Sequence, residues 1–301
     1  AGAVGLRFES RATLRDTTIQ NFTGNGMEIA AGLSGVFGCS FIGNGAAGIK
    51  VEGAQTGAVT IGGGTLATRV FIRGNGGDGI LIEDAVGTRV TNCYIGIDVA
   101  GAFPEGNGRD GVRIVDGRDT RIGSSGVGNI NVISGNAARG INITGFNSQD
   151  IVIENSYIGL RADGEGALAN NSGGIGTFGS GVNDLSIIEN VISGNIGSGI
   201  VLSLVTGATL QNNIIGLDAS GEDRVANRPS NVVLFESTGV LIGGDQPGQG
   251  NIIAGSGAVG QTSGNILLTN AVDVDIFGNT IGANTLGAPV SNFNNGIVIE
   301  G

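Results

Sequence analysis

Histidine and tryptophan are both absent from this chain of 301 residues, and tyrosine occurs only twice. Without histidine, neither a Ser-His-Asp nor a Cys-His catalytic arrangement can form, and the commonest metal-binding side chain is missing. Sugar-binding clefts usually display exposed aromatic rings. With no tryptophan, only Tyr94 and Tyr157 stand at equivalent repeat positions where an outward-facing ring would serve that purpose.

Positive charge and long apolar runs are also scarce. The chain has 15 Lys and Arg residues against 26 Asp and Glu residues, a net charge of −11, and Lys50 is its single lysine. Such an acidic balance disfavours nucleic acid and anionic membranes, which basic residues must neutralise. No apolar stretch approaches the ~18 residues of a membrane span, and no signal peptide is visible. We therefore expect neither a nucleic-acid partner nor membrane insertion.

Proline is rare and glycine is abundant, with 4 and 60 residues respectively. Collagen is excluded because it needs glycine at every third position together with much proline. Disorder is opposed by a 40% content of hydrophobic residues, many of them β-branched and regularly spaced. The composition therefore predicts a folded, all-β chain.

A short strand motif, Gly-Ile-x-Ile or a close variant, recurs along the chain with a period of about 30 residues. A coil of that length has room for three short strands and three turns. We therefore predict a right-handed three-sheet parallel β-helix of about ten coils, forming a single domain over residues 1–301. Because the chain stops within a strand motif, we expect a segment of a longer protein or an assembling subunit. The motif copies are at residues 48–51, 79–82, 111–114, 140–143, 199–202, 265–268 and 296–299.

A longer regularity shows that two types of coil alternate. One type carries an Ile-Gly pair at 95–96, 158–159, 215–216 and 281–282, so that successive copies are 63, 57 and 66 residues apart. The other type carries Ile-Gly-Gly or Ile-Gly-Ser at 61–63, 122–124 and 242–244, and the copy expected near residue 182 is missing. The true repeat is therefore a pair of coils.

The segments IGIDVAG…GNGRDGVRI and IGSSGVGNINVISGNAARGINI carry a specific resemblance. They resemble the right-handed parallel β-helix repeats of large secreted bacterial surface proteins, over roughly residues 40–301. The resemblance implies the pectate-lyase-like solenoid architecture and an extracellular or cell-surface location in bacteria. It implies no activity, because adhesins, scaffold regions and carbohydrate-active enzymes share such repeats.

Acidic and amide residues recur at equivalent turns. Asp98, Arg161, Asp218 and Asn284 each precede a glycine by three residues, which is β-turn chemistry. The alternative is a Ca²⁺ site that uses Asp98 and Asp218, although an arginine in the same row opposes it. No other cofactor is expected. Asparagines at corners predict a structural amide ladder. The residues in question are Asn92, Asn155, Asn213, Asn279, Asn136 and Asn195.

An arginine-rich region provides the alternative enzymatic hypothesis. Arg109, Arg113, Arg118, Arg121 and Arg139 are interleaved with Asp110, Asp116 and Asp119. By resemblance, β-helix lyases use arginine or lysine as the base beside a uronate carboxylate. A polysaccharide lyase or carbohydrate-binding β-helix would then use Arg113, Arg121 and Asp116 within residues 109–139. The competing interpretation is an exposed face of mixed charges, each contributing little.

The middle residue of the strand motif should face outward, and four of the seven such residues are apolar. Leu81, Val201, Leu267 and Val298 are thus a candidate interface for self-association. End-to-end association is a second route, because an open sheet edge is a pairing template. The two cysteines, Cys39 and Cys93, are two coils apart, or ~10 Å, so we expect two buried free thiols.

Regular coils place most residues in the core or in turns and leave no convergent catalytic set. The favoured function is therefore a non-catalytic extracellular scaffold, such as an adhesin-type surface or filament protein. Enzymatic activity is the less favoured hypothesis, and a polysaccharide is the alternative partner.

Overall fold

The computed structural model describes residues 2–53, 57–125, 129–179, 181–257, 264–293 and 295–301. Over these residues the chain winds through three parallel sheets, which we call sheet 1, sheet 2 and sheet 3. Each coil adds one strand to each sheet in that order. Crossovers between parallel strands are right-handed because the strands themselves twist to the right. The right-handed three-sheet parallel β-helix predicted from the repeat is therefore confirmed.

The number of coils is set by the strands in each sheet. Sheets 1, 2 and 3 have 11, 10 and 10 strands, in agreement with the predicted ten coils. The strands of sheet 1 are Leu6–Phe8, Met27–Ile29, Ile49–Glu52, Ile80–Glu83, Val112–Val115, Arg139–Thr144, Gly173–Phe178, Ile200–Ser203, Val232–Phe235, Gly264–Thr269 and Asn295–Glu300.

In sheet 2 the strands become longer towards the C-terminal half, whereas in sheet 3 they become shorter. The strands of sheet 2 are Thr13–Arg15, Gly35–Phe37, Thr60–Ile61, Arg89–Val90, Arg121–Ile122, Gln149–Glu154, Val182–Ile188, Val205–Gln211, Thr238–Gly243 and Val272–Phe277. The strands of sheet 3 are Thr18–Gln20, Ser40–Ile42, Val70–Arg73, Cys93–Ile95, Asn131–Ile133, Ser156–Ile158, Val191–Ile192, Ile214–Ile215, Ile252–Ile253 and Thr280–Ile281.

Helical structure in the described part of the chain is limited to a short 3₁₀ turn, Leu66–Thr68. Within the same part, no helix has the length and apolar character needed to cross a bilayer.

The register of the strands stacks like residues on like. Ile80 lies opposite Ile49 on one side and Val112 on the other. Ile80 and Ile82 are completely buried, while Leu81 between them is partly exposed. Because successive side chains of a strand point to opposite faces, every coil delivers its β-branched residues into one continuous core. Each fully buried side chain of this size contributes about 1.5–3 kcal/mol to stability.

In the Ile-Gly-Gly and Ile-Gly-Ser coils, the residue directly after isoleucine must be glycine because a backbone carbonyl of the next coil lies against it. A Cβ added at Gly62, where φ is +80°, would lie 1.8 Å from the carbonyl oxygen of Thr91. At Gly123, φ is +112° and the clash with the Glu154 carbonyl oxygen is equally close. In the coil where the copy is missing, Ile188 takes the place of this glycine, opposite Glu154.

The alternation of two coil types has a visible structural basis. From the coil of Cys93–Ile95 onward, every second coil extends into a hairpin after its sheet 3 strand. The hairpins are marked by the antiparallel bridges Ile97↔Pro104, Leu160↔Ala167, Leu217↔Arg224 and Ala283↔Pro289. The hairpins stack directly on one another across the intervening coil. The backbone hydrogen bonds between them are Ala162 N–H to Gly101 O, Ala219 N–H to Gly164 O and Thr285 N–H to Gly221 O, at 2.9–3.0 Å.

Beneath the hairpins lies a small second core on the outer face of sheet 3. Tyr94, Ile97 and Val132 are buried there, and Phe71 and Tyr157 pack against them. Phe71 meets the Tyr94 ring edge-on, with the ring centroids 5.7 Å apart. The outward-facing tyrosines considered for sugar stacking are therefore packed under the hairpins, Tyr94 fully and Tyr157 partly.

A chain of asparagine side chains runs along the corner between sheet 3 and sheet 1. Each amide donates from Nδ2 to Oδ1 of the next at 2.9–3.0 Å, over nine consecutive hydrogen bonds. Its members are Asn44, Asn75, Asn107, Asn136, Asn170, Asn195, Asn227, Asn231, Asn265 and Asn292. We call it the asparagine ladder, and the amide stacking predicted for Asn136 and Asn195 is confirmed.

A shorter ladder of the same kind lies between sheet 2 and sheet 3. It joins Asn190, Asn213, Asn251 and Asn279 at 2.8–3.1 Å. The prediction for Asn213 and Asn279 is therefore confirmed as well. For Asn92 and Asn155 it is wrong, because these residues stand one position earlier. There they adopt positive φ and donate their amides to backbone oxygens of the preceding coil.

The two cysteines lie in one column of sheet 3, with Val70 between them. Cys93 is opposite Val70, and Cys39 precedes Ser40, which is opposite Phe71. Both thiols are buried and free, as predicted. Burial raises the pKa of the Cys93 thiol to about 12.

Candidate functional site

The arginine-rich region predicted from the sequence is divided between two faces of the β-helix. Arg113 lies on the outer face of sheet 1, in the strand Val112–Val115. Arg121 lies on sheet 2, where its guanidinium contacts the nearly buried Glu154 carboxylate at 2.6 Å. Asp116 follows the sheet 1 strand at φ +52° and accepts the Asn147 N–H at 2.8 Å. The structure therefore does not bring Arg113, Arg121 and Asp116 together as one catalytic set.

The part of this region that does converge lies on sheet 1, and we call it the sheet 1 polar patch: Asp110, Arg113, Arg139 and Asn142. Arg113 and Asn142 are register neighbours on adjacent strands. Asp110 joins the next coil by accepting the Arg139 backbone N–H and the Asn142 side-chain amide, both at 2.9 Å. The buried carboxylate therefore fixes the start of the following strand.

Arg139 reaches from this patch across the next coil. Its guanidinium passes over Gly176, where an added Cβ would be 2.8 Å from Nε, and stacks on the Phe178 ring at 4.4 Å. Burial lowers the pKa of Arg139, and the Asp110 carboxylate partly offsets that effect. Gly176 is thus the residue that makes room for the arginine.

Several polar atoms of the sheet 1 polar patch are buried without a hydrogen-bond partner among the described residues. They are Nε of Arg113, Nη1 of Arg139 and Oδ1 of Asn142. Buried polar groups without partners are uncommon because each costs about 1–3 kcal/mol.

A second buried carboxylate stands one coil before Asp110. Asp78 Oδ1 accepts the Asp110 N–H at 3.0 Å, and both side chains are at most 5% exposed. Burial raises the pKa of Asp78; the hydrogen bond from the Asp110 backbone opposes this effect, and the Asp110 negative charge adds to it. Asp78 and Asp110 therefore each hold the next coil in place by accepting a backbone N–H just before or at the beginning of its sheet 1 strand.

The candidate metal residues, Asp98 and Asp218, belong to different hairpins, and Arg161 holds the equivalent turn between them. Asp98 accepts the N–H groups of Ala102 and Phe103 at 2.7 and 2.9 Å. Although partial burial opposes it, this set of backbone donors holds the pKa of Asp98 below its usual value. In all four predicted turns, the glycine N–H donates to the carbonyl three residues earlier at 3.0 Å. Turn formation is therefore confirmed, whereas Asp98 and Asp218 do not come together.

No cluster of three or more Cys, Asp or Glu side chains in the described part of the chain is arranged to hold a metal ion.

The apolar row proposed as an interface lies on the outer face of sheet 1, where Leu81, Val201, Leu267 and Val298 are all partly exposed. The sequence motif missed Val233, which stands between Val201 and Leu267 in the register. Four consecutive rungs near the C-terminal end are therefore apolar. Leu81 is separated from them by Arg113, Asn142 and Gly176.

One concave site was not found by sequence reasoning. It opens beside the hairpins and is lined by two arginines, Arg224 and Arg228. In the linear sequence Arg224 follows Glu222 and Asp223, which looks like mixed surface charge. The turn of the hairpin separates them, because Asp223 instead lines an acidic depression with Asp163 and Asp218.

Comparison with known proteins gives weak similarities only. No protein-family model matches the chain, and no curated protein sequence matches it. Among solved structures, the Dettilon tailspike protein (gp208) aligns at 16% identity and a TM-score of 0.41, with 87% of this chain covered. The chain spans 61% of the length of that tailspike protein.

Two further solved structures are similar over most of the chain. The A-module of Azotobacter vinelandii mannuronan C-5 epimerase AlgE6 has 14% identity and a TM-score of 0.43, covering 91% of this chain and 80% of that one. PfbA, a surface adhesin of Streptococcus pneumoniae, has 11% identity and a TM-score of 0.34, covering 89% and 71%. At such low similarity, neither an activity nor a partner can be transferred to this chain.

The class of protein is thus defined by the three sheets themselves: the chain is a parallel β-helix protein. The resemblance of its repeats to parallel β-helix proteins is borne out at the level of the fold.

Proposed function

We propose that this chain is a rigid, non-catalytic β-helix that serves as an extracellular scaffold of a bacterial surface, as in an adhesin stalk or a filament subunit. The observation that carries the proposal is the asparagine ladder, whose nine side-chain hydrogen bonds add to those of three continuous sheets. Bending the rod would stretch the ladder, and buried hydrogen bonds are costly to leave unmade. A stiff spacer of ~4.8 Å per coil is the mechanical result.

The distribution of polar groups supports the absence of catalysis in this proposal. Arg121 is paired with Glu154, Asp116 holds a turn, and Arg113 lies on another sheet. The hairpins that stand out from sheet 3 are too short to wall a deep substrate cleft, since each closes on itself within about six residues. The extracellular setting rests on the resemblance of the repeats, and the charge of −11 favours solubility of an exposed rod.

A second candidate function is the binding of an acidic polysaccharide, or its cleavage by a lyase reaction, at the sheet 1 polar patch. The unpartnered atoms of Arg113, Arg139 and Asn142 favour it. A guanidinium beside a uronate carboxylate would neutralise its charge.

Incubation with uronate polysaccharides, with and without Ca²⁺, separates the two functions through the absorbance of an unsaturated product. We expect no product from the wild-type chain. The matched variants are Arg113→Ala on the patch and Arg118→Ala at an exposed position outside it. Product formation that is lost in Arg113→Ala and kept in Arg118→Ala would overturn the scaffold proposal. Electron microscopy of the purified chain should show straight rods or fibres of constant width.

A further inference from the structure

Beside the stacked hairpins, where sheet 3 turns towards sheet 1, the surface is indented by a cleft of about 460 Å³. We call it the arginine cleft. Its volume falls within the ~300–1,000 Å³ typical of small-ligand sites. Three coils contribute to it, so its shape is fixed by the stacking of the rod. Among its eight lining residues are Ile196, Arg224, Val225, Ala226 and Arg228.

The charge of the arginine cleft is opposite to that of the whole chain. Two of its eight lining residues are arginines and none is acidic. Among the described residues, the ion pairs found involve neither Arg224 nor Arg228. Burial, and after it the positive charge of Arg228, lowers the pKa of the Arg224 guanidinium. Two like charges are therefore close together in the cleft, and an anion between them would relieve their repulsion.

Arg224 is held in place by contacts that leave part of its guanidinium free. The guanidinium stacks on the Phe293 ring at 4.9 Å, and Nη2 donates to the Gly257 carbonyl at 3.4 Å. Its stem passes Gly255, where an added Cβ would be 2.8 Å from Arg224 Cγ. A side chain ordered in advance loses less conformational entropy when a ligand binds.

One part of the wall of the arginine cleft is apolar. Ile196 is 56% exposed, and Val225 and Ala226 continue the wall between the two arginines. A ligand that fits has an anionic group that accepts hydrogen bonds from the two guanidinium groups. It also has a ring whose C–H faces can contact the apolar wall. Carboxylates match the planar guanidinium through two parallel hydrogen bonds.

We propose that the arginine cleft binds a carboxylate-bearing sugar residue of an acidic polysaccharide, with Arg224 and Arg228 holding the carboxylate and Ile196 contacting the ring. This binding function goes beyond that of a scaffold, and it uses a face of the rod different from the sheet 1 polar patch. It gives the rod a specific attachment point on an acidic glycan.

The test is titration calorimetry with a uronate trisaccharide, a neutral trisaccharide and inorganic sulfate as separate probes. We expect the uronate trisaccharide to bind at least ~10-fold more tightly than either of the others, and more weakly as salt is added. Arg228→Gln should weaken it by ~10-fold or more, and Arg224→Gln with Arg228→Gln by more still. Arg118→Gln, which leaves both the cleft and the sheet 1 polar patch intact, should bind as the wild type does.

Arg228→Gln is the principal variant because no hydrogen bond of its side chain is found among the described residues, so the fold should be kept. Thermal unfolding checks this, and Arg228→Lys, which keeps the charge without the planar fork, should fall between wild type and Arg228→Gln. The proposal is overturned if the uronate does not bind, if sulfate binds equally well, or if Arg228→Gln has no effect. It is also overturned if Arg113→Gln weakens binding as much as Arg228→Gln, which would favour the sheet 1 polar patch instead.

Discussion

Replacing one amide in the middle of the asparagine ladder should destabilise the rod far more than replacing its exposed neighbour. Asn170 is completely buried and takes part in four side-chain hydrogen bonds of 2.9–3.1 Å. In Asn170→Leu, which keeps the number and branching of the side-chain heavy atoms, the backbone N–H of Asn136 and one of its side-chain N–H groups lose their acceptor. Two buried donors without partners cost about 1–3 kcal/mol each, so we expect a loss of about 2–6 kcal/mol.

Urea unfolding followed by far-ultraviolet circular dichroism measures this loss, with Asn171→Leu as the matched control. Asn171 is exposed and adjacent in sequence, so its replacement should change stability by no more than about 0.5 kcal/mol. The dependence of the free energy on urea should be the same in both variants, because the same surface is exposed on unfolding. Equal unfolding midpoints for the two variants would refute the reasoning, since the ladder would then be a passive product of the stacking.

Three further predictions concern the core, a hairpin turn and the outer face. Because burial raises the pKa of Cys93 to about 12, the unfolded chain loses the thiol proton first. The free energy of unfolding should therefore fall by up to ~1.4 kcal/mol per pH unit above the ordinary pKa of a thiol. In unfolding measured as a function of pH, Cys93→Val should remove this contribution, and an unchanged dependence of the free energy on pH would contradict the prediction. Burial by itself would raise the pKa of Asp218, but the Ser220 hydroxyl and backbone donors outweigh it and hold this pKa below its usual value. The resulting stabilisation is present above the ordinary aspartate value and lost in acid, so Asp218→Asn should flatten the acid limb of a melting-temperature profile, and an equally steep limb would count against this. Finally, Leu267→Asp with Val298→Asp should abolish concentration-dependent association in sedimentation, whereas identical sedimentation of variant and wild type would exclude the apolar row as a contact.

The architecture was predictable because each coil repeats the same physical requirement. An inward Ile or Val, such as Ile80 and Ile82, must meet its counterpart one coil away, and that need appears in the sequence as a fixed period. Turn glycines and the amides of Asn136 and Asn195 obey the same period. The period does not determine the register to a single residue. For that reason it wrongly assigns Asn92 and Asn155 to the ladder, although they stand one position before it.

The candidate sites were less predictable because they depend on the sheet or corner of the coil at which each side chain lies. Arg113 and Arg121 are eight residues apart, yet a corner places them on different sheets. Conversely, Arg228 and Ile196 are 32 residues apart and line one cleft. The motif misses Val233 because Asn231 and Val232 together replace the Gly-Ile pair that opens most of its copies. Contacts between residues of different coils cannot be predicted from the residues next to them in the sequence.

The stacked hairpins have a consequence for how such a chain can change its length over evolution. Adding a single plain coil between two hairpins would separate Ala219 N–H from Gly164 O by a further ~4.8 Å, well beyond a hydrogen bond. Adding two coils, one of them with a hairpin, restores every contact, as at Gly101 and Ala162. Duplications and deletions that keep the fold in this part of the chain should therefore involve even numbers of coils. The pair of coils, rather than the single coil, is then the unit that is gained or lost in evolution.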